Sequence, residues 1–277
     1  MTGLDLAAGL LKDGDPEAAL ARLQDIVRAH PDDAKHRVFL FQLLCVLGRW
    51  ERALTQLKVA SSLDPAALVM AQVYGDAVRC EAMRRAVFEG RKAPVLFGEP
   101  EPWLACLVES LAERHRGGND RASQLRAEAF EAAPASAGTI NDQPFEWIAD
   151  ADSRLGPVLE VFINGRYYWL PFTRLRRLSL DPPEDLRDLV WMPARLEFDN
   201  GGEAVALIPS RYPGSDSAGD GLIALSRKTT WTEVSGNEVH GLGQRVLTTD
   251  AADVPFLDVR TVVIEPAGAE ASGTSQA

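Results

Sequence analysis

Histidine and cysteine are scarce in this chain of 277 residues, and the few present exclude the commoner metal and nucleophile chemistries. Its four histidines, His30, His36, His115 and His240, include no pair at the spacing of a zinc-binding helix, and no serine or cysteine lies in a nucleophile-elbow context. The three cysteines, Cys45, Cys80 and Cys106, are odd in number, far apart and embedded in helical patterns. They read as reduced core thiols of a cytoplasmic protein, not as a disulfide framework. Positive charge is in deficit, with 29 Lys and Arg against 40 Asp and Glu and a net charge of −11. That balance argues against nucleic acid and anionic membrane surfaces as partners. No apolar run reaches bilayer length, so membrane insertion is not expected. The start, Met1 to Leu11, has no basic n-region and meets Lys12 and Asp13 too soon for a signal peptide.

What the chain does have is a repeat. Gly14-Asp-Pro-Glu-Ala-Ala-Leu-Ala-Arg-Leu23, closing at Pro31, returns 34 residues later as Gly48-Arg-Trp-Glu-Arg-Ala-Leu-Thr-Gln-Leu57, closing at Pro65. Gly, Glu, Ala, Leu, Leu and Pro recur in register. Ala19, Leu20, Leu23, Ile26 and Val27, like Ala53, Leu54, Leu57 and Ala60, fall on a stripe of 3.6-residue period. The period and the punctuation resemble the tetratricopeptide (TPR) helix-turn-helix unit, whose stacked copies display a binding groove. A degenerate third copy keeps Gly117, Ala122, Ala129 and Pro134 but has Arg126 where an apolar residue is expected. Between the copies, Ala67 to Glu89 reads as one long helix with Val69, Val73, Cys80, Met83 and Val87 inward and Gly90 as its stop.

Near Ala132 the composition changes to Ala-Ala-Pro-Ala-Ser-Ala-Gly, and strand signals follow. Pro157 to Ile163, Asn164-Gly165 and Arg166 to Pro171 give a β-hairpin, because a type I′ turn needs positive φ at both central positions. Further strand character is read in Leu175–Leu180, Val190–Phe198, Ala204–Pro209, Leu222–Leu225 and Leu257–Ile264, with a short helix within Pro183–Asp188. The expected class is α+β: a TPR-like helical repeat domain over 1–135, a linker over 136–145, a mostly antiparallel β domain (small sheet or open barrel) over 146–266, and a disordered tail over 267–277. The aromatics Trp147, Tyr168, Trp169, Trp191 and Trp231 read as core or domain-interface packing.

In unit order and in three stretches the chain resembles the ImpE family, whose members are also called SciE or TagJ. The stretches are Glu146-Trp-Ile-Ala-Asp-Ala-Asp-Ser-Arg-Leu-Gly-Pro-Val-Leu-Glu160, Asn164-Gly-Arg-Tyr-Tyr-Trp-Leu-Pro-Phe172 and Asp185-Leu-Arg-Asp-Leu-Val-Trp191. The resemblance implies a non-enzymatic accessory protein of the bacterial type VI secretion system, without cofactor. It also implies two partners, the small subunit of the contractile sheath and ClpV, the AAA+ ATPase that disassembles contracted sheath.

Aromatic and arginine side chains dominate interface hot spots, so Arg84, Arg85, Arg91 and Trp103 in the helical part are candidate protein contacts, with Arg166, Arg174 and Arg176 in the β part. Trp50 and Trp103 also fit helix-core positions. Arg84 and Arg85 fit a solvated helix face better than an interface, and Arg174 and Arg176 fit a wet sheet face equally well. Asp142, Glu146, Asp150 and Asp152 offer oxygen ligands for a hard cation, but in the wrong order for an EF-hand loop. Turn and helix-cap carboxylates are the ordinary reading. A generic TPR scaffold for another peptide is the first alternative to the adaptor, and a metal-dependent enzyme on the acidic cluster the second.

Overall fold

Each glycine shared by the repeats sits where a helix must end and reverse. Gly14, Gly48 and Gly117 have φ of 82°, 62° and 87°, the left-handed conformation that an ordinary side chain resists. In the computed structural model, which describes residues 3–235 and 238–266, they separate α1 (Gly3–Lys12) from α2 (Pro16–Ala29), α3 (Ala34–Val46) from α4 (Trp50–Leu63), and α6 (Pro102–His115) from α7 (Asn119–Ala132). The long α5 (Leu68–Phe88) stands between the second and third hairpins. Pro16 and Pro102 open their helices, at the position where a missing N–H costs nothing. Asp15 and Asp33 cap α2 and α3 by accepting from main-chain N–H groups of their first turns. Among the described residues no helix is long and apolar enough to cross a membrane.

A first strand arises inside the helical part. β1 (Val95–Leu96) lies in the loop between α5 and α6 and joins the main sheet, the one parallel pair among the described strands. Then follow β2 (Gly138–Ile140), β3 (Gln143–Phe145), β4 (Ile148–Asp150), β5 (Val158–Ile163), β6 (Arg166–Pro171), β7 (Leu175–Leu180), β8 (Trp191–Phe198) and β9 (Glu203–Pro209). A one-turn helix, α8 (Gly221–Ala224), precedes β10 (Thr229–Ser235), β11 (Glu238–Gly243), β12 (Val246–Thr249), β13 (Asp253–Pro255) and β14 (Thr261–Ile264). The described strands form a nine-stranded sheet ordered β1-β6-β5-β9-β8-β7-β14-β2-β3, a three-stranded sheet β13-β12-β4 and the hairpin β10-β11. None of these sheets closes on itself, so the class is α+β with helical repeats followed by a mainly antiparallel, open sheet.

Alternation along β5 explains the layering. Val158 and Phe162 point to the helices and join one core with Leu43, Leu44, Trp103 and Trp169. Leu159, Val161 and Ile163 point the other way, into a second core with Leu178, Met192, Phe256 and Val262. The β5–β6 turn has φ of 49° at Asn164 and 72° at Gly165, as the Asn-Gly signal requires.

Several expectations are corrected. Residues 136–145, read as a linker, carry β2 and β3, because Gly138 pairs with Ile264 so closely that a Cβ would strike the Val263 carbonyl. Leu222–Leu225, read as strand, lies largely in α8, whose first N–H groups, from Leu222 and Ile223, are accepted by the Asp220 carboxylate. The 257–264 run is split between a 3₁₀ turn at Phe256–Asp258 and β14, and the short helix expected within 183–188 is a 3₁₀ turn at Leu186–Leu189. Trp147 and Trp231, read as core or interface residues, are exposed, while Trp169 and Trp191 are fully buried. The tail expected to be disordered, 267–277, lies outside the described residues.

Candidate protein-binding site

The helical layer and the sheet are joined by buried charge. Arg84 of α5 donates from Nε and Nη2 to the two carboxylate oxygens of Glu160 on β5, at 2.8 and 2.9 Å, and neither side chain reaches solvent. Glu160 also accepts from the Tyr167 hydroxyl at 2.6 Å and from Arg245, which in turn donates to Asp150. Burial alone would raise the Glu160 carboxyl, but the guanidinium charges of Arg84 and Arg245 overcome it and hold the group down at about 2. Asp150, with Asp152 nearby, is dominated by burial, which pushes it up to about 7 against the pull of Arg245. Trp169 Nε1 donates to Tyr167 and Trp191 Nε1 to Glu81, so the large aromatics under the helices leave no buried donor unmet.

A second arginine fills the groove expected for a ligand. Arg211, buried just after β9, donates to the carbonyls of Cys45 and Val46 at 2.9 and 2.6 Å. Among the described residues the Val46 carbonyl is left without a main-chain donor at the C-terminus of α3, while that of Cys45 also accepts from the Gly48 N–H at 3.1 Å, and a cation there meets the helix dipole favourably. From Leu40 to Val46 every residue of α3 is buried, because the repeats lie on one side and the sheet on the other. Trp191 of β8 packs 5.8 Å from Trp50 and 6.1 Å from Tyr74, ring centre to ring centre. The inner face of the repeats is therefore covered by the protein's own sheet, and the expectation of an open peptide groove along it is overturned there.

The candidate contacts scatter. Arg84 and Trp103 are buried, the first against Glu160 and the second with Nε1 donating to Glu101 at 2.7 Å, so neither presents a surface to a partner. Arg85 is exposed and pairs with Asp216 at 3.3 Å, and Arg91 is exposed and pairs with Glu89. Arg166 is exposed in the β5–β6 turn region. Arg174 sits between Glu101 and Asp199, at 3.4 Å from each, and Arg176 donates to the Ile264 carbonyl at 2.6 Å. These side chains do not form one basic patch. Of the acidic cluster, Asp142 and Glu146 are exposed, while Asp150 and Asp152 are buried against Arg245 and Arg154. Arg126, the misfit of the third repeat, faces Glu238 of β11 at 3.5 Å, and Glu238 also takes Arg114. The repeat pattern breaks there because that helix docks a hairpin of the β part.

The open surface lies where the helical layer stops short. Val69 and Val73 of α5, expected inward, face solvent; Val69 is 75% exposed, as is Val205 of β9. Together with Gln72, Asp76, Phe162, Asn164, Pro193 and Leu207 they line a cleft of about 650 Å³ between the α5 flank and the sheet. Leu63 and Leu68 are exposed nearby in sequence. The sequence gives no warning of this, because α5 carries apolar residues around its whole circumference and periodicity cannot say which are covered. Val205 is equally silent, since a strand with both faces partly apolar has no single inward side.

The fold and cleft define a helical-repeat protein whose inner face is closed by its own β part and whose remaining apolar surface suits protein binding. The chain matches the tetratricopeptide repeat family over residues 10–73 and the ImpE protein family over residues 142–263. It is 50% identical over 264 residues to the type VI secretion system accessory component TagJ of Pseudomonas aeruginosa, a match that covers 95% of this chain and 92% of that one. A crystal structure of a Vibrio parahaemolyticus protein has the same fold, with a TM-score of 0.85 at 25% identity over 94% of this chain and 97% of that one. The chain belongs to the ImpE/TagJ family of type VI secretion accessory components.

Proposed function

We propose that this protein is a non-enzymatic adaptor of the type VI secretion apparatus that binds the small sheath subunit, the ClpV ATPase, or both, and so assists sheath disassembly. The observation that carries the reading is the apolar cleft between α5 and β9, left open in a family of secretion accessory components. An exposed apolar strip beside a filled groove is costly in water unless a partner covers it. The acidic pair that could have served a metal-dependent enzyme, Asp150 and Asp152, is instead engaged by arginines in the interior.

The test is direct. The full chain is immobilised and exposed in turn to the purified small sheath subunit and to the purified ATPase of its own system. Saturable binding of either supports the adaptor. Retention of neither at micromolar concentration sinks it.

A further inference from the structure

The ribbon β10–β11 has one edge tied down and one edge bare. On β11, Val239 accepts from the Ser153 N–H and donates to its hydroxyl, both at 3.0 Å. Gly241 N–H donates to the Asp152 carboxylate at 2.8 Å, and Gly243 accepts from the Tyr212 N–H and donates to the Ser215 hydroxyl. Those three residues therefore turn their main chain away from β10, and the ribbon's own bonds fall to the pairs Thr230–Leu242 and Thr232–His240. By the same alternation Trp231 and Glu233, opposite Gly241 and Val239, turn their N–H and C=O groups outward. β10 has no neighbouring strand on that side, and among the described residues nothing bonds to those main-chain groups. From Trp231 to Val234 every residue is exposed.

The bare edge is buttressed from behind. Glu238, at the start of β11 and buried, takes Arg114 of α6, Arg126 of α7 at 3.5 Å and His240 at 2.8 Å. Trp231 leans on the Tyr212 ring, 5.5 Å between centres, and Gly241 lies so close to that ring that a Cβ would overlap it. A strand fixed on one side and open on the other receives an extended peptide with little ordering cost to the protein. Natural edge strands are blunted by proline, lysine or a bulge. β10, Thr-Thr-Trp-Thr-Glu-Val-Ser, has neither proline nor lysine, and its one irregularity lies at its end, between Glu233 and Ser235.

Charge decides between occupants. Glu233 is exposed and has no ion pair among the described residues, whereas Lys228 is paired with Asp220 and Glu238 with its two arginines. No residue of β10 is basic, so a second copy laid along this edge has nothing to set against Glu233 and brings a further net charge of −11. Like charges facing each other across strands are destabilising. We propose that the outer edge of β10 is a strand-addition site for an extended segment of a partner protein. In that segment a Lys or Arg stands opposite Glu233 and an apolar residue two positions away stands opposite Trp231, since side chains two apart share one face of a strand. The site goes beyond the adaptor reading and shares no residue with the α5–β9 cleft.

The probe is a labelled peptide, Thr-Val-Thr-Lys-Thr-Val-Thr, titrated against the full chain. Beside it run the same peptide with Glu for Lys, and the Lys peptide N-methylated at both valines and the lysine, which removes the donors facing the edge and keeps every side chain. The Lys peptide should bind wild type about threefold to tenfold more tightly than the Glu peptide, and Glu233→Lys should invert that order. N-methylation should abolish binding. Glu233→Pro removes an outward N–H that the ribbon does not use, so near-wild-type melting should accompany its loss of peptide binding. Equal binding of the plain and N-methylated peptides, or of wild type and Glu233→Pro, overturns the assignment, as does no saturable binding to wild type at millimolar peptide. Sedimentation of the chain alone should be the same for wild type and Glu233→Pro. A wild-type dimer that Glu233→Pro dissociates would give the edge to a second copy and overturn the proposal. Binding of the sheath subunit and the ATPase is read separately, so the adaptor reading stands or falls without this result.

Discussion

Arg84 and Glu160, 76 residues apart, make a two-pronged buried ion pair that joins the last turns of α5 to the centre of the sheet. Arg84→Ala would leave the Glu160 charge short of one of its two guanidinium partners, and removing one partner of a buried pair costs about 3–5 kcal/mol. Arg84→Lys should recover only part of this, because an ammonium cannot reproduce the planar fork. Urea unfolding of the full chain measures both, and an Arg84→Ala loss below about 1 kcal/mol would mean the pair does not clamp the layers.

The same carboxylate predicts acid sensitivity. Its folded pKa, about 2, lies below the ordinary glutamate value of 4.5, so the unfolded chain takes up the proton first. The stabilisation is fully present above pH 4.5 and is lost as pH falls through 2. Thermal melting across that window should fall steeply in wild type and less steeply in Glu160→Gln, which starts lower at neutral pH. Parallel curves would remove Glu160 from the cause.

The three repeat glycines should respond unequally to alanine. Gly117 has open space where a Cβ would stand, so Gly117→Ala meets only the backbone cost of its positive φ, about 1 kcal/mol. At Gly48 a Cβ would also collide with the carboxylate of Asp216, which Arg85 holds from the other side. Gly48→Ala should therefore cost more than Gly117→Ala, by about 1–2 kcal/mol. Equal losses in denaturant titrations would count against the contact.

Thiol chemistry offers a check on burial. Burial pushes the Cys80 thiol up to about 12 and that of Cys45 well above the ordinary range, and both are covered. Cys106 is only partly covered. Iodoacetamide at pH 8 should modify Cys106 first in the native protein and reach Cys45 and Cys80 only on unfolding, as peptide mass spectrometry would show. Early labelling of Cys45 would mean that α3 opens far more readily than a wholly buried helix should.

Local signals carried the helices and the central hairpins. Gly14, Gly48 and Gly117 announce their turns because only glycine adopts positive φ without strain, and Asn164-Gly165 announces its hairpin for the same reason. β1, β2, β3, β4, β12 and β13 escaped because runs of two to four residues carry almost no periodicity, and the longer β10 and β11 escaped as well. α8 was misread as strand because Leu222–Leu225 is a short apolar run, and such a run does not distinguish the two states. The burial of Arg84 and Trp103 was not legible for a related reason: residue type suggests a hot spot, but the same arginine or tryptophan serves equally inside a core.

By itself, the sequence determined the α+β order, the repeat register, the positive-φ turns and the family, because each of these is written in residues close along the chain. The tertiary structure decided how the two parts meet. Arg211 reaches the end of α3 from 165 residues away, Arg126 abandons the repeat pattern for Glu238, and the sheet fills the groove that a repeat array would offer to a ligand. What remains open, the strip of Val69, Val73 and Val205, is defined only by where one layer ends over another. Burial depends on every element that packs above a residue, and a helix apolar on all sides does not encode which of its sides will be left bare.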